Sequence, residues 1–318
     1  MHRQAGISWR SLRSAAKTTR VRQGTYSIVA LDKSTGELGV AVQSHWFSVG
    51  PIVPWAHPGV GAVATQANAE AAYGPHALEL IAGGLDARTA LDRLLAEDPS
   101  AETRQVAVVD AQGRVAAHTG TSCIPFAGHV TGDGVSCQAN IMADAEVWPA
   151  MLEAYNASGG TLTTRLLDAL DAAEGKGGDI RGRQSVAIVI APAHGEPWET
   201  LVSLRVEDHP DPLGELRRLV RLHDAYEIAS RADELVGENR HDEAAALYEQ
   251  ASELAPDSHE LRFWAGLGAA QAGDLDAAVA HVKAAIDAQP GWLELLPRMP
   301  AEVAPSAAAV LARLGVEP

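Results

Sequence analysis

Two short apolar runs, residues 26–31 and 38–44, are separated by Asp32-Lys33-Ser34-Thr35-Gly36-Glu37. Turn residues between two β-rich runs predict a β-hairpin. Both runs are nearly continuous in apolar residues, so both faces of each strand are expected to be covered. Residues 49–55 hold three β-branched residues and two prolines and read as an edge or crossing segment. A run of small residues at 59–66 is a further strand. The period then becomes helical. Ala77, Leu80 and Ile81 share one face over 73–82, and Ala90, Leu91, Leu94 and Leu95 share one over 87–97. Asp86 is a plausible N-cap for the second, and Asp98-Pro99 ends it. Strands return at 104–110, 115–119 and 134–140. Two helices follow, 145–158 and 162–174, parted by Gly159-Gly160. Strands at 184–190 and 200–206 close the set. Helix pairs segregated from antiparallel strands imply an α+β domain of four layers, two sheets face to face with helices outside.

The stretch His209-Pro210-Asp211-Pro212 cannot continue a central strand. Beyond it the pattern is helical only, and it repeats. Ala244, Ala251 and Pro256 recur as Ala278, Ala285 and Pro290, each 34 residues on. Small residues at that spacing let paired helices approach closely. The period resembles the tetratricopeptide repeat, of which about two units fit. A last amphipathic helix is expected at 306–314. The predicted organisation is a basic extension or a start placed too early at 1–24, an αββα domain at 25–208, and a helical domain at 209–318.

Composition changes the picture in three places. The chain of 318 residues is 47% hydrophobic, enough for two cores. Net charge is −16, and residues 1–24 carry six basic residues and no acid, which leaves −22 for the rest. A body so acidic argues against nucleic acid, which needs clustered Lys and Arg. The basic start has no apolar stretch of a secretory signal, and no run is long enough to span a membrane. The expected location is cytoplasmic. Cys123 and Cys137 lack C-x-x-C or Cys/His spacing, so no metal or other cofactor is expected, and the thiols read as buried and reduced.

The candidate chemistry begins at Gly24-Thr25, ahead of the first strand. A threonine with a free α-amine carries its own acid–base system, the hydroxyl attacking and the amine taking the proton. A threonine starting a strand is ordinarily only a strand residue. Asp179 and Arg181 sit in a glycine-flanked loop before a strand, where they either orient that amine or a substrate carboxylate, or form a structural ion pair. Ser185 either relays a proton or is a strand serine. His118 either serves as acid–base group or packs at a strand end. Asn140 and Gln66 either donate to an oxyanion or satisfy buried backbone. Ser44-His45 ends the second strand, near Thr25 if the hairpin forms.

These pieces together resemble a family. The hairpin around Thr25, with Val49-Gly50, Ala64-Thr65-Gln66-Ala67, Arg104-Gln105, Asp110 with Gly113, His118-Thr119-Gly120, Gln138-Ala139-Asn140, Glu174 and Asp179-x-Arg181-Gly182-Arg183-Gln184-Ser185, is similar to the N-terminal-nucleophile (Ntn) hydrolase-like proteins of domain of unknown function 1028. The resemblance spans about residues 25–210. It implies an Ntn-hydrolase-like αββα sandwich with Thr25 on a central strand. It implies amide hydrolysis with Thr25 as nucleophile. Read with that chemistry, the candidate catalytic residues are Thr25, Ser27, Ser44, His118, Asn140, Asp179 and Ser185, and the candidate substrate-binding residues are Gln66, Thr119 and Arg181. The substrate would be a small amide. The 24 residues before Thr25 must then be absent or removed. The helical tail resembles an extension catalogued as peptidoglycan-binding. The alternative reading is therefore a non-catalytic scaffold whose tail binds a protein or cell-wall partner. A homodimer is also plausible for such a molecule.

Overall fold

A computed structural model describes residues 24–316. Of the basic extension expected at 1–24, residues 1–23 lie outside them. The described chain divides into two compact units, one ending at Arg217 and one starting at Arg218. The division falls beyond the proline-rich stretch, because the helix starting at Pro212 buries Leu213 and Leu216 in its first turns.

The first unit has two antiparallel sheets. Strands β1 (Thr25–Leu31), β2 (Leu38–Ser44), β3 (Pro54–His57) and β4 (Gly61–Ala67) are followed by helices α1 (Tyr73–Ala82) and α2 (Ala87–Glu97). Then come β5 (Arg104–Asp110), β6 (Val115–Thr119), β7 (Gly128–Gly132), β8 (Val135–Asn140), α3 (Val147–Ala157), α4 (Leu162–Gly175), β9 (Ser185–Ala191) and β10 (Val202–Val206). One sheet runs β10-β9-β2-β1-β8-β7 and the other β3-β4-β5-β6. β1 is central, hydrogen-bonded to β2 along its whole length and to β8 from Thr25 to Ala30.

Alternation along each strand builds the layers. Val29, Leu31, Val40 and Val42 of the larger sheet meet Ala62, Ala64, Ala107 and Val109 of the smaller one. The opposite faces of β4–β6, with Val63, Val106, Val108 and Ala116, pack against Tyr73, Ala77, Leu91 and Leu94 of α1 and α2. α3 and α4 cover the larger sheet. A side chain at Gly39 would overlap Leu166 and Leu162 of α4, so glycine there lets helix and strand touch. Asp86 does cap α2, accepting from the Thr89 amide at 2.7 Å. The result is the four-layer αββα sandwich expected.

Strand β7 was not anticipated. Its sequence Gly-His-Val-Thr-Gly has one aliphatic residue and lies at a sheet edge, so neither apolar content nor burial marks it. The segment with two prolines at 49–55 yields only the short edge strand β3. Both cysteines are buried and free.

The second unit is helical. α5 (Pro212–Gly237) leads into it, followed by α6 (His241–Leu254), α7 (His259–Gln271), α8 (Leu275–Ala288), α9 (Gly291–Leu295) and α10 (Ala307–Leu314). The repeated alanines serve as spacing predicts. Ala244, Tyr248 and Ala251 join one small core with Leu261 and Ala265, while Ala278, Val282 and Ala285 join another with Phe263 and Val310. No helix among the described residues is long and apolar enough to cross a membrane.

Candidate functional site

Strand register assembles a polar rung at one end of the larger sheet. Asn140 of β8 lies opposite Thr25 of β1, Thr25 opposite Ser44 of β2, and Ser44 opposite Ser185 of β9. All four are buried. The period of two turns Thr25 and Ser27 toward the space between the sheets and Tyr26 toward the helices.

Thr25 Oγ1 lies 3.0 Å from Ser44 Oγ. Ser44 Oγ donates at 2.5 Å to the carbonyl of Gly24. A hydroxyl has one proton, so Thr25 is the donor of the Thr25–Ser44 pair. Arg181 Nη2 donates to the same Gly24 carbonyl at 3.0 Å. Two donors therefore converge on the carbonyl just before Thr25. Arg181 is held by Asp179, whose Oδ1 accepts from the Arg181 amide and Nε at 3.0 Å each and whose Oδ2 accepts from Nη2 at 2.7 Å. Asp179 Oδ2 also accepts from the His45 amide at 3.2 Å. A planar guanidinium gripped by a carboxylate in this way has one orientation. Gly24 is wedged against the pair. A Cβ there would stand 2.4 Å from Asp179 Oδ2 and 2.8 Å from Arg181 Nη2, so any larger residue would have to displace the pair.

Behind Thr25 lies a chain of buried amides. Gln138 Nε2 donates to Ser27 Oγ, which donates to Gln66 Oε1, both at 2.6 Å. Gln66 Nε2 and Asn140 Nδ2 both reach the carbonyl of Thr25, at 3.2 and 3.4 Å. Both also donate to Gln105 Oε1, at 2.8 and 3.0 Å. Gln105 Nε2 continues to Thr119 Oγ1 at 2.9 Å, and Thr119 meets His129 Nδ1 at 2.8 Å. Burial, with lesser contributions from the charges of His118 and Arg88, lowers His129 below the ordinary histidine range. This network fixes Thr25 from behind.

The structure thus gathers Thr25, Ser44, Asp179 and Arg181 around one carbonyl, with Ser27, Gln66 and Asn140 directly behind. Gln66 and Asn140 are spent on the Thr25 carbonyl rather than aimed at an incoming group. Ser185 donates to the Trp46 carbonyl at 2.5 Å and accepts from the Val49 amide at 3.1 Å. Its one proton holds the loop after β2. Thr119 joins only through Gln105. His118 is not brought in. It pairs with Val106, on the face of β6 turned to α1 and α2, and its Nε2 meets the Ala101 carbonyl at 2.9 Å. Among the described residues no cluster of His, Cys, Asp and Glu is arranged to hold a metal.

Three buried glutamines and a glutamate went unread as site residues. Gln105 and Gln138 carry the amide chain. Gln43 and Tyr26 donate to Glu174 Oε1 at 2.7 and 2.5 Å, and Arg183 Nε pairs with Glu174 Oε2 at 2.6 Å. That cluster pins the loop of Asp179 and Arg181 from the helix side. Burial and then the Glu174 charge raise the Tyr26 hydroxyl well above its ordinary value, so it stays a neutral donor. The available signal was a glutamine inside each of four apolar strands, at 43, 66, 105 and 138.

Residues 25–216 match the model of a family of unknown function, DUF1028. The chain belongs to that family. Residues 230–291 match a tetratricopeptide repeat model. A solved DUF1028 protein from Silicibacter pomeroyi is 32% identical, with a TM-score of 0.57, over 62% of this chain and 88% of that one. Anbu, an ancestral beta-subunit from Yersinia bercovieri, is 12% identical with a TM-score of 0.32, over 61% of this chain and 91% of that one, a likeness too slight to bear on the chemistry. No curated protein matches. The DUF1028 match starts on Thr25, the first residue of the central strand, and takes in every residue of the site but Gly24.

Proposed function

We propose that the DUF1028 unit is an Ntn-type amidohydrolase with Thr25 Oγ1 as nucleophile, acting on a small amide. The observation that carries the reading is the carbonyl ahead of Thr25, held by Ser44 Oγ and Arg181 Nη2 while Thr25 Oγ1 donates to Ser44. Such a pair of donors stabilises negative charge growing on a carbonyl oxygen.

The arrangement suits two reactions in sequence. In the first, Thr25 Oγ1 adds to the Gly24 carbonyl carbon. Its proton passes to Ser44 Oγ as Ser44 gives its own proton to the former carbonyl oxygen. Collapse re-forms the carbonyl and breaks the Gly24–Thr25 C–N bond, that hydroxyl proton passes to the leaving nitrogen, and water hydrolyses the remaining ester. Thr25 then has a free α-amine, with an unperturbed pKa of about 7.7–8.0. Asp179, already against Gly24, lies beside it and orients its charged form. In the second reaction the neutral amine takes the Thr25 hydroxyl proton as Oγ1 attacks a substrate amide in the place Gly24 left. Ser44 and Arg181 then face the substrate carbonyl.

N-terminal sequencing and intact mass test the first step, and mapping of a hydroxyl-reactive acyl probe tests the second. The expected mature chain begins at Thr25 and carries the label there. Thr25→Ala stays uncleaved and unlabelled, while Thr25→Ser retains both reactions. A labelled, active chain that still carries Gly24 would overturn the reading.

A second reading concerns the helical unit. Its tetratricopeptide match favours a module that docks a protein partner.

A further inference from the structure

The helical unit holds a solvent-open cavity of about 660 Å³ between α5, α6, α7 and the segment before α10. Its walls combine three aromatic side chains, Tyr226, Tyr248 and Trp264, with three acids, Asp233, Glu260 and Glu302. No Lys, Arg or His is among its lining residues. Two of the acids are fixed by the aromatics. The Tyr248 hydroxyl donates to Asp233 Oδ1 at 2.5 Å, and the Tyr226 hydroxyl donates to Glu260 Oε2 at 2.6 Å. Burial first, and then the bonded carboxylate, raises both tyrosines, so they remain neutral donors. One donated proton leaves a carboxylate most of its acceptor capacity. The result is a cavity with aromatic walls and three anionic acceptors, two of them oriented, the chemistry that takes up ammonium and guanidinium groups.

The surrounding charge has the same sign. Residues 218–318 carry 17 acids against 8 Lys and Arg. That excess draws cations toward the unit and repels anionic chains. Arg218 and Arg221 line a second cavity that shares only Tyr226 and Glu260 with this one, so Asp233 and Glu302 belong to this cavity alone.

We propose that this cavity binds a Lys- and Arg-bearing peptide segment of a partner protein. The inference rests on the docking reading of the helical unit and is independent of the hydrolase reading. A cavity of this volume takes two or three side chains of an extended segment, and the acidic excess of the unit adds long-range attraction.

The test uses the full chain and a fluorescent nonapeptide of Gly, Lys and Arg, with a Gly–Glu nonapeptide as counterpart, followed by anisotropy. Asp233→Asn/Glu260→Gln keeps both tyrosine hydrogen bonds and removes two charges. It is expected to weaken binding of the basic peptide by about tenfold or more. Asp242→Asn/Glu253→Gln removes the same charge outside the cavity and is expected to change binding less than about twofold. Equal thermal unfolding of both variants shows that each is folded. Equal weakening by both would mean general charge attraction and overturn the assignment, as would no binding of the basic peptide. Preference for the acidic peptide would overturn the cationic assignment while leaving a docking module. Displacement of the peptide by spermine at equal concentration would overturn a peptide in favour of a small polyamine.

Discussion

Gly24 is the residue on which the site closes. Its position is not set by backbone freedom but by contact, since Asp179 Oδ2 and Arg181 Nη2 occupy the space of a side chain. In the uncleaved Thr25→Ala background, Gly24→Ala is expected to cost about 1–3 kcal/mol, the usual range for forcing an atom into a filled interior. The loss is measurable as a shift of the denaturation midpoint. With Thr25 intact, Gly24→Ala is expected to slow release of Thr25, because the carbonyl is displaced from Ser44 and Arg181. Unchanged stability in the first and normal processing in the second would show that the wedge does not exist. Thr25 itself is less demanding. It is 1% exposed and bonded to Ser44, and serine at that position keeps the bond.

At the scale of elements, α2 is tied to β5 by Asp98, just past the helix end. Arg104 Nε donates to Asp98 Oδ2 at 2.8 Å, the Ser100 amide donates to Oδ1 at 2.9 Å, and the Tyr73 hydroxyl reaches Oδ2 at 3.2 Å. Burial alone would raise Asp98, but those hydrogen bonds and the Arg104 charge outweigh it and hold the carboxyl below the ordinary range. A carboxylate lowered on folding adds stability that is present above the unfolded pKa of about 3.9 and is lost as pH falls through the folded value. Stability of the first unit is therefore expected to drop below about pH 4. Asp98→Asn removes part of that drop and lowers stability at neutral pH. Denaturant titrations of both proteins between pH 2 and 7 check it. A wild-type acid limb matched by Asp98→Asn would remove Asp98 from the account. Loss of the Asp86 cap in Asp86→Ala is a separate effect of about 1 kcal/mol, independent of pH above that limb.

For the whole molecule the division at Arg217 and Arg218 makes a prediction. The first unit holds its own cores, and Arg217 reaches back to Asp168 at 2.9 Å and to Asp171. A chain ended after Arg217 is expected to keep a cooperative thermal transition and acyl labelling at Thr25, and to lose binding of the basic peptide. Loss of labelling on truncation would mean that the helical unit takes part in the reaction.

The layers, the hairpin at Thr25, the Asp86 cap and the helical repeat were legible from the chain alone. They follow from periods of 2, 3.6 and 34, which depend on near neighbours in sequence. Strand β7 was hidden because an edge strand with two glycines buries little and has no apolar signature. The site was half legible. Residue types named Thr25, Ser44, Asp179 and Arg181, but their meeting depends on register between β1, β2 and β8 and on a loop more than a hundred residues away. His118 shows the limit most plainly. Beside Thr119 in sequence, it faces the opposite side of the strand, because adjacent residues in a strand alternate. The glutamines that support Thr25 were in plain view as polar residues in apolar strands, yet only packing of two sheets gave each one a partner. Local chemistry determined the elements and the kinds of residue around Thr25. Long-range pairing decided which donors reach the carbonyl before Thr25, since a hydrogen bond needs its partners within about 3 Å and sequence order does not measure that distance.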